Sequence, residues 1–64
     1  MNDKRKKILI ALADNNMKVT EAAKSLFLHR NTVLFHLRKV KEETGLDPCK
    51  FHDLCKLYAM VIGE

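Results

Sequence analysis

The stretch from Thr20 to Gly45 limits the possible folds most, because it holds two apolar stripes with helical spacing and almost no chain between them. In the first segment, Ala22, Ala23 and Leu26 fall on one side of a helix that would start at a hydroxyl residue suited to N-capping. This pattern predicts a short helix over residues 20–27, with Thr20 as its cap.

The second segment predicts a longer helix over residues 30–44. Its apolar stripe consists of Val33, Leu37, Val40 and Thr44. Gly45 should stop this helix in the left-handed conformation. We expect His29 to cap the helix, while a competing interpretation makes Asn31 the cap of a helix one turn shorter.

The connection between the two segments is Phe27-Leu28 and contains no glycine. A tight turn between two such helices usually has glycine or another residue that tolerates a positive φ. Because a Phe at positive φ is strained, either the turn has a different geometry or the packing of Phe27 compensates. The sequence leaves both possibilities open.

Helices are also predicted on either side of this pair. The first runs over residues 3–14 with Asp3 as its cap, and Asn15-Asn16 ends it. Its inward stripe is Ile8, Leu9, Leu12 and Ala13. The last runs over residues 49–62, after an Asp47-Pro48 pair that is either a turn or a cap followed by proline in the first helical position.

Length and composition set the fold class. The 64 residues allow one domain at most, and only two glycines and one proline interrupt them. We therefore expect an all-α fold, a small four-helix domain over residues 1–64 with a central helix-turn-helix. A chain this short has limited buried surface and marginal stability, so a partner or a larger parent protein is expected.

Positive charge is concentrated in the part of the chain that includes this motif. Residues 1–19 carry five positive and two negative side chains, residues 20–41 carry five and one, and residues 42–64 carry two and five. In a helix-turn-helix, the second helix lies in a DNA major groove with its first residues against base edges. The motif and the charge together predict double-stranded DNA as the partner.

We expect four residues of the predicted recognition helix to contact bases. Arg30 and Asn31 stand in its first turn and have the bidentate geometry suited to guanine and adenine edges. Leu34 and Phe35 follow one turn later, where an apolar side chain can meet a thymine methyl group. For Phe35, packing against a neighbouring element is an equally open alternative.

A second set of residues is expected to contact phosphates, which fixes the orientation of the protein without reading sequence. These residues are Thr20, Lys24, His29, Thr32, His36, Arg38 and Lys39.

Four cations, Lys4, Arg5, Lys6 and Lys7, stand in the first turn and a half of the first helix. They oppose the helix macrodipole, so a bound phosphate would relieve an unfavourable arrangement. The alternatives are an ordinary solvated helix start or the point at which an upstream domain was removed.

The last helix is apolar nearly all round, which predicts a second buried surface outside the small core. We expect a homodimer interface, because a two-fold dimer would place two recognition helices in successive major grooves. Its predicted residues are Leu54, Leu57, Tyr58 and Val61. Packing on an absent sensor domain is the alternative, and so is a protein-interaction module in which this helix and the Leu34/Phe35 patch dock a partner.

Other classes of function find little support in the sequence. There is no interpretable catalytic pairing, no glycine-rich phosphate loop and too little chain to enclose a pocket, so we expect no enzyme and no cofactor. Cys49, Cys55 and three histidines lack zinc-ligand spacing, and both thiols are expected to be reduced packing residues. The apolar run from Ile8 to Ala13 is too short for an export signal or a membrane span.

A longer motif occupies residues 22–47, AAKSLFLHRNTVLFHLRKVKEETGLD. It resembles the C-terminal helix-turn-helix of PucR/CdaR-family transcriptional regulators, the purine-catabolism and sugar-diacid factors. The block His29-Arg30-Asn31-Thr32 is intact, Gly45-Leu46-Asp47 follows in register, and the resemblance reaches Leu57-Tyr58-Ala59. HRNT followed at this distance by TGLD is much more specific than a generic helix-turn-helix.

The resemblance implies a DNA-binding output domain, normally fused behind a ligand-sensing region and acting as a dimer on the nucleoid in a bacterial cytoplasm. The family commonly has Arg or another polar residue where Leu34 stands and Arg where His36 stands, so two of its usual contacts are weakened. No sensing region is present in this sequence. An excised domain and a free-standing small protein both remain open.

Overall fold

Four α-helices form the part of the chain that the computed structural model describes, which is residues 2–63. They are α1 (Asp3–Asp14), α2 (Val19–Ser25), α3 (Arg30–Thr44) and α4 (Phe51–Ile62). Residues 2–63 contain no β-strand, and the predicted all-α, four-helix fold is confirmed. None of these helices has the length and hydropathy needed to cross a lipid bilayer.

Helix α1 is the centre of the packing, because it contacts each of the other three helices. Helices α2 and α3 also pack on each other, whereas the backbone of α4 contacts that of α1 and has no backbone contact with α2 or α3. The buried side chains of α1 are Ile8, Leu9, Ala11 and Leu12. Ala13, which was predicted to face inward, is only half-buried. Ala11 was not predicted but is buried, because a helix with three neighbours buries more than one stripe.

The helices start at slightly different residues from those predicted. Asn2, not Asp3, caps α1, and its side-chain oxygen accepts a hydrogen bond from the backbone N–H of Arg5 at 2.8 Å. Helix α2 begins one residue before Thr20, so the predicted cap lies inside the first turn, and the cap position is Lys18 with no side-chain hydrogen bond. Helix α4 begins at Phe51, two residues later than predicted.

The turn after α1 uses a left-handed Schellman motif without glycine. The backbone N–H of Met17 donates to the carbonyl of Leu12 at 2.8 Å, and that of Asn16 donates to Ala13 at 3.3 Å. Asn16 and Met17 have φ of 57° and 66°, which Asn tolerates better than Met. The turn therefore satisfies the helix carbonyls but stores backbone strain in Met17.

The same motif closes α2, immediately before the predicted recognition helix. The backbone N–H of Leu28 donates to Ala23 at 2.9 Å, and that of Phe27 donates to Lys24 at 3.1 Å. Phe27 has a φ of 57° and its side chain is 95% exposed. Both expected explanations are wrong, because the geometry is the usual left-handed one and Phe27 packs on almost nothing. The two hydrogen bonds and the partial burial of Leu28 against the core offset the strain instead.

The end of α3 follows the prediction. Gly45 has a φ of 76°, and its N–H donates to the carbonyl of Lys41 at 2.9 Å. Of the two interpretations of Asp47-Pro48, the turn is the one found: the Asp47 carboxylate accepts from the N–H of Cys49 at 2.9 Å. The Asp53 carboxylate of α4 accepts from the N–H of Asp47 at 3.0 Å, which joins the turn to the last helix.

Candidate nucleic-acid interface

The start of α3 is fixed by a histidine cap. His29 has an extended backbone, and its Nδ1 atom accepts a hydrogen bond from the N–H of Asn31 at 3.0 Å. The predicted cap is therefore confirmed, and the alternative in which Asn31 caps a shorter helix is wrong. Because Nδ1 is the acceptor, a neutral His29 carries its proton on Nε2.

Arg30 and Asn31 occupy the first turn of α3, and both are exposed. Neither side chain has a hydrogen bond or ion pair with any other residue in the described range 2–63. Their long or amide-bearing side chains therefore have donor and acceptor groups to offer to an external partner.

The two apolar residues of the predicted base-contacting set differ in exposure. Leu34 is half-buried and lies outside the core, whereas Phe35 is 47% exposed. The Phe35 and His36 rings are nearly perpendicular, with their centroids 5.4 Å apart, and Nζ of Lys39 lies 5.6 Å from the Phe35 centroid. Its ring contacts are thus with neighbours on α3 itself.

The residues predicted to contact phosphates are mostly at the surface, but they differ in their partners. Lys39 forms an ion pair with Glu42 at 3.4 Å, and Lys24 forms one with Glu21 at 3.8 Å. Arg38 is exposed and has no ion pair with the described residues. Thr20 is exposed, and Thr32 is half-buried. Exposed pairs of this kind are weak, so they leave both lysines able to exchange partners.

His36 lies where α1 meets α3. It is half-buried, and its Nδ1 atom is shielded from solvent without a hydrogen-bond partner among the described residues. Burial lowers the pKa of His36, and the nearby charges of Lys4 and Arg5 on α1 lower it further. A neutral imidazole is therefore favoured at this position in the free protein.

An ion pair that joins α1 to α3 was not predicted from the sequence. The Arg5 guanidinium forms an ion pair with the Glu43 carboxylate, and the Arg5 side chain is only 16% exposed. A signal was present in the sequence, because Arg5 precedes Leu9 by four residues and Leu12 by seven, which places it on the buried side of α1. Because three lysines surround Arg5 in the sequence, it resembles one more cation of a basic helix start.

Three of the four residues predicted at a dimer interface are instead core residues. Leu54, Leu57 and Val61 are buried within this chain, where α4 packs on α1, and only Tyr58 is half-buried. Their i, i+3, i+7 spacing is the core stripe of α4, so these three side chains are not available to a partner. The prediction failed because it had no way to choose among the apolar faces of α4.

A second apolar stripe runs along the outside of α4. It consists of Phe51, Cys55, Tyr58 and Ile62, at i, i+4, i+7 and i+11. Phe51 and Ile62 are more than 60% exposed. Phe51, Cys55 and Tyr58 of this stripe border an open, mainly apolar groove of about 330 Å³, with Ala13 and Met17 on the opposite wall.

The cysteines differ from the expectation as well. Cys49 and Cys55 are free thiols but exposed, so they are not packing residues. Partial desolvation of the thiol, with the nearby Asp47 charge, raises the pKa of Cys49, which disfavours a reactive thiolate. Among residues 2–63, no three His, Cys, Asp or Glu side chains are grouped to hold a metal ion.

Two curated proteins are similar to this chain. The proline-responsive transcriptional activator PutR of Bacillus subtilis is 39% identical over 44 residues, which cover 69% of this chain and 11% of PutR. The carbohydrate diacid regulator of Escherichia coli is 38% identical over 53 residues, which cover 83% of this chain and 14% of that regulator. This chain thus corresponds to a small part of each relative.

The family comparison covers nearly the whole chain. No solved structure gives a significant match. The PucR C-terminal helix-turn-helix domain matches residues 6–62, a range that includes all of α2, α3 and α4 and most of α1. The HRNT block at the start of α3 and the glycine that ends it lie inside this match. The chain belongs to the PucR C-terminal helix-turn-helix family.

Proposed function

We propose that this chain is the DNA-binding part of a bacterial transcriptional regulator, and that α3 enters the major groove of double-stranded DNA with its first turn against the bases. The observation that carries the proposal is the exposure of Arg30 and Asn31 at the start of α3, without partners among the described residues. Membership of a helix-turn-helix family and similarity to two regulators of transcription support it.

In the proposed complex, Arg30 and Asn31 read base edges. The guanidinium of Arg30 can donate two hydrogen bonds to a guanine, and the Asn31 amide can both donate to and accept from an adenine. Leu34 and Phe35 lie one turn further along α3, where an apolar side chain can contact a thymine methyl group. The half-exposed Phe35 ring suits this contact better than the half-buried Leu34.

Phosphate contacts hold α3 in position. The capping hydrogen bond of His29 leaves its Nε2–H directed away from the helix backbone as a donor to a phosphate oxygen. Arg38 is an exposed cation on α3, and Thr20 and Lys24 supply the corresponding contacts from α2. Thr32, His36 and Lys39 complete the proposed set.

A second copy of the chain completes the proposed regulator. The outer stripe of α4 is apolar and points away from the core, and α4 has no backbone contact with α2 or α3. A two-fold pairing of this stripe would leave both copies of α3 free, at the spacing of about 34 Å that separates successive major grooves. Both relatives are much longer than this chain, and in a bacterial cytoplasm we expect it to act within such a larger, ligand-responsive regulator.

Titration with duplex DNA at several salt concentrations tests DNA binding. If about six phosphates are neutralised, affinity should fall by about 10³-fold or more between about 50 and 200 mM salt. Asn31→Ala should weaken the selected site by about tenfold or more and relax preference at one base pair, whereas Arg38→Ala should weaken all sequences equally and reduce the salt slope by about one. A flat salt response of the unmodified protein would contradict the proposal.

Sedimentation of two matched variants tests the second copy. Phe51→Ser changes the outer stripe, while Met60→Ser changes another exposed apolar residue on the opposite side of α4. The proposed dimer should be lost in the first variant and kept in the second. If the unmodified chain stays monomeric with and without DNA, the stripe serves another partner and the dimer is wrong.

A further inference from the structure

The basic first turn of α1 has no role in the proposed recognition described so far. Lys4, Arg5, Lys6 and Lys7 follow a single acidic residue at this end, which the helix macrodipole makes unfavourable for cations. The sequence could not tell whether this end is simply solvated or faces an anion. The position of this turn relative to α3 distinguishes a solvated helix end from one that faces an anion.

Packing places this turn beside the second half of α3, between His36 and Glu43. Helix α1 packs directly on α3, and the Arg5 guanidinium pairs with the Glu43 carboxylate across the contact. The charge of Lys4 is near enough to His36 to disfavour its protonated form. The Arg5–Glu43 ion pair and the packing of α1 on α3 thus hold the first turn of α1 beside one side of α3.

That side of α3 carries residues already proposed to contact phosphates. Thr32, His36, Lys39 and Glu43 follow each other at i, i+4, i+7 and i+11, so they line one edge of the helix. Glu43 is the acidic member of this edge, and its pairing with Arg5 neutralises it. Lys4 is exposed and has no ion pair within residues 2–63.

We propose that the first turn of α1 binds the phosphodiester backbone that borders the groove occupied by α3, with Lys4 as the contacting cation and Arg5 as the residue that positions the turn. This inference rests on the proposed function, because it requires α3 to lie in DNA. The bound phosphate also relieves the repulsion between the cations and the helix start. The footprint on DNA is therefore wider than the helix-turn-helix alone, and α1 supplies its outer edge.

The test compares Lys4→Ala with Lys56→Ala in the full chain, with fluorescence anisotropy on a labelled mixed-sequence duplex as the readout. Lys56 is an exposed cation of α4, which has no backbone contact with α3. Lys4→Ala should reduce the slope of log affinity against log salt by about one and weaken all sequences about equally. Lys56→Ala should leave the slope unchanged, and Lys4→Arg should restore it.

The outcomes separate this inference from the function on which it rests. If the unmodified protein binds DNA with a steep salt dependence and Lys4→Ala has the same slope, the proposed phosphate contact of α1 is wrong. The proposal of DNA binding is then unaffected. If Lys4→Ala and Lys56→Ala lower the slope equally, the effect is one of net charge and the inference is also wrong. If the unmodified protein binds no duplex, both proposals fail. Thermal unfolding of each variant verifies that the fold is intact.

Discussion

The Nδ1 atom of His29 accepts a hydrogen bond from the backbone N–H of Asn31 at 3.0 Å, so the residue that caps α3 holds the backbone of a candidate base-reading residue. Because the hydrogen bond goes to the backbone of Asn31, the amide side chain stays free. Capping and recognition are thus adjacent without competing for the same atoms.

Removing this cap should lower the stability of the domain. His29→Ala should reduce the free energy of unfolding by about 1 kcal/mol, because one N–H at the start of α3 loses its acceptor. His29→Asn should retain most of the stability, since Asn is a strong capping residue. Urea denaturation followed by circular dichroism measures both. Equal losses in the two variants would show that the imidazole acts by something other than capping.

The strained turn before α3 offers a stabilising substitution. Phe27→Gly should be more stable than Phe27→Ala by about 1 kcal/mol, because glycine adopts a φ of 57° without the steric penalty that Ala retains. Little burial is lost, since the Phe27 side chain is 95% exposed. The measurement is the difference in unfolding midpoint between the two variants. If the Ala variant is at least as stable as the Gly variant, backbone strain at position 27 is contradicted.

Stability should fall in mild acid because of His36. Its pKa in the folded chain is lowered from 6.5 by burial and by Lys4 and Arg5, so the unfolded chain binds the proton more readily. The favourable contribution of neutral His36 is complete above pH 6.5 and is lost as the pH falls through the lowered pKa of the folded state. Thermal unfolding between about pH 7.5 and 5.5 measures the effect.

Two variants isolate the contribution of His36 to the pH dependence of stability. His36→Gln should show a smaller loss of stability over the acid range than the unmodified chain. The loss of stability in Lys4→Ala should be intermediate between those of His36→Gln and the unmodified chain, because one of the charges that repel protonated His36 is removed. An unchanged acid loss in His36→Gln would assign the pH dependence to other groups.

The contact of α4 with α1 should be sensitive to truncation. Leu57 has no exposed surface, so Leu57→Ala should cost about 2–5 kcal/mol, which is a large part of the roughly 3–10 kcal/mol expected for a domain of this size. Met60→Ala, at a half-exposed position of the same helix, should change stability by less than about 0.5 kcal/mol. Similar costs at the two positions would contradict the assignment of the core stripe.

The helices were predictable because local signals agreed with tertiary packing. The stripe of Val33, Leu37 and Val40 and the glycine that follows α3 specify that helix without reference to the rest of the chain. Thr20 and Asp3 were wrongly predicted as caps because several polar residues near each helix start can serve, and tertiary contacts decide among them. The conformation of Phe27 could not be predicted, because its residue type does not indicate that two backbone hydrogen bonds hold it at a positive φ.

The candidate interface was only partly accessible to sequence reasoning. Arg30 and Asn31 precede the first buried residue of α3, so their exposure follows from position alone. The ion pair of Arg5 with Glu43 joins residues 38 positions apart, and no periodicity within one helix reports such a contact. Leu54, Leu57 and Val61 were misassigned because an apolar helix has two usable faces, and only the position of α1 determines which becomes the core.

Among the other helices, α4 has backbone contacts with α1 alone. Substitutions on its outer side can therefore accumulate without disturbing the pair of helices that would face DNA. Evolution could exchange the assembly partner of such a domain while its target site stays the same, or alter the target while the assembly is preserved. The arrangement of the helices would therefore let the assembly partner and the target site change independently.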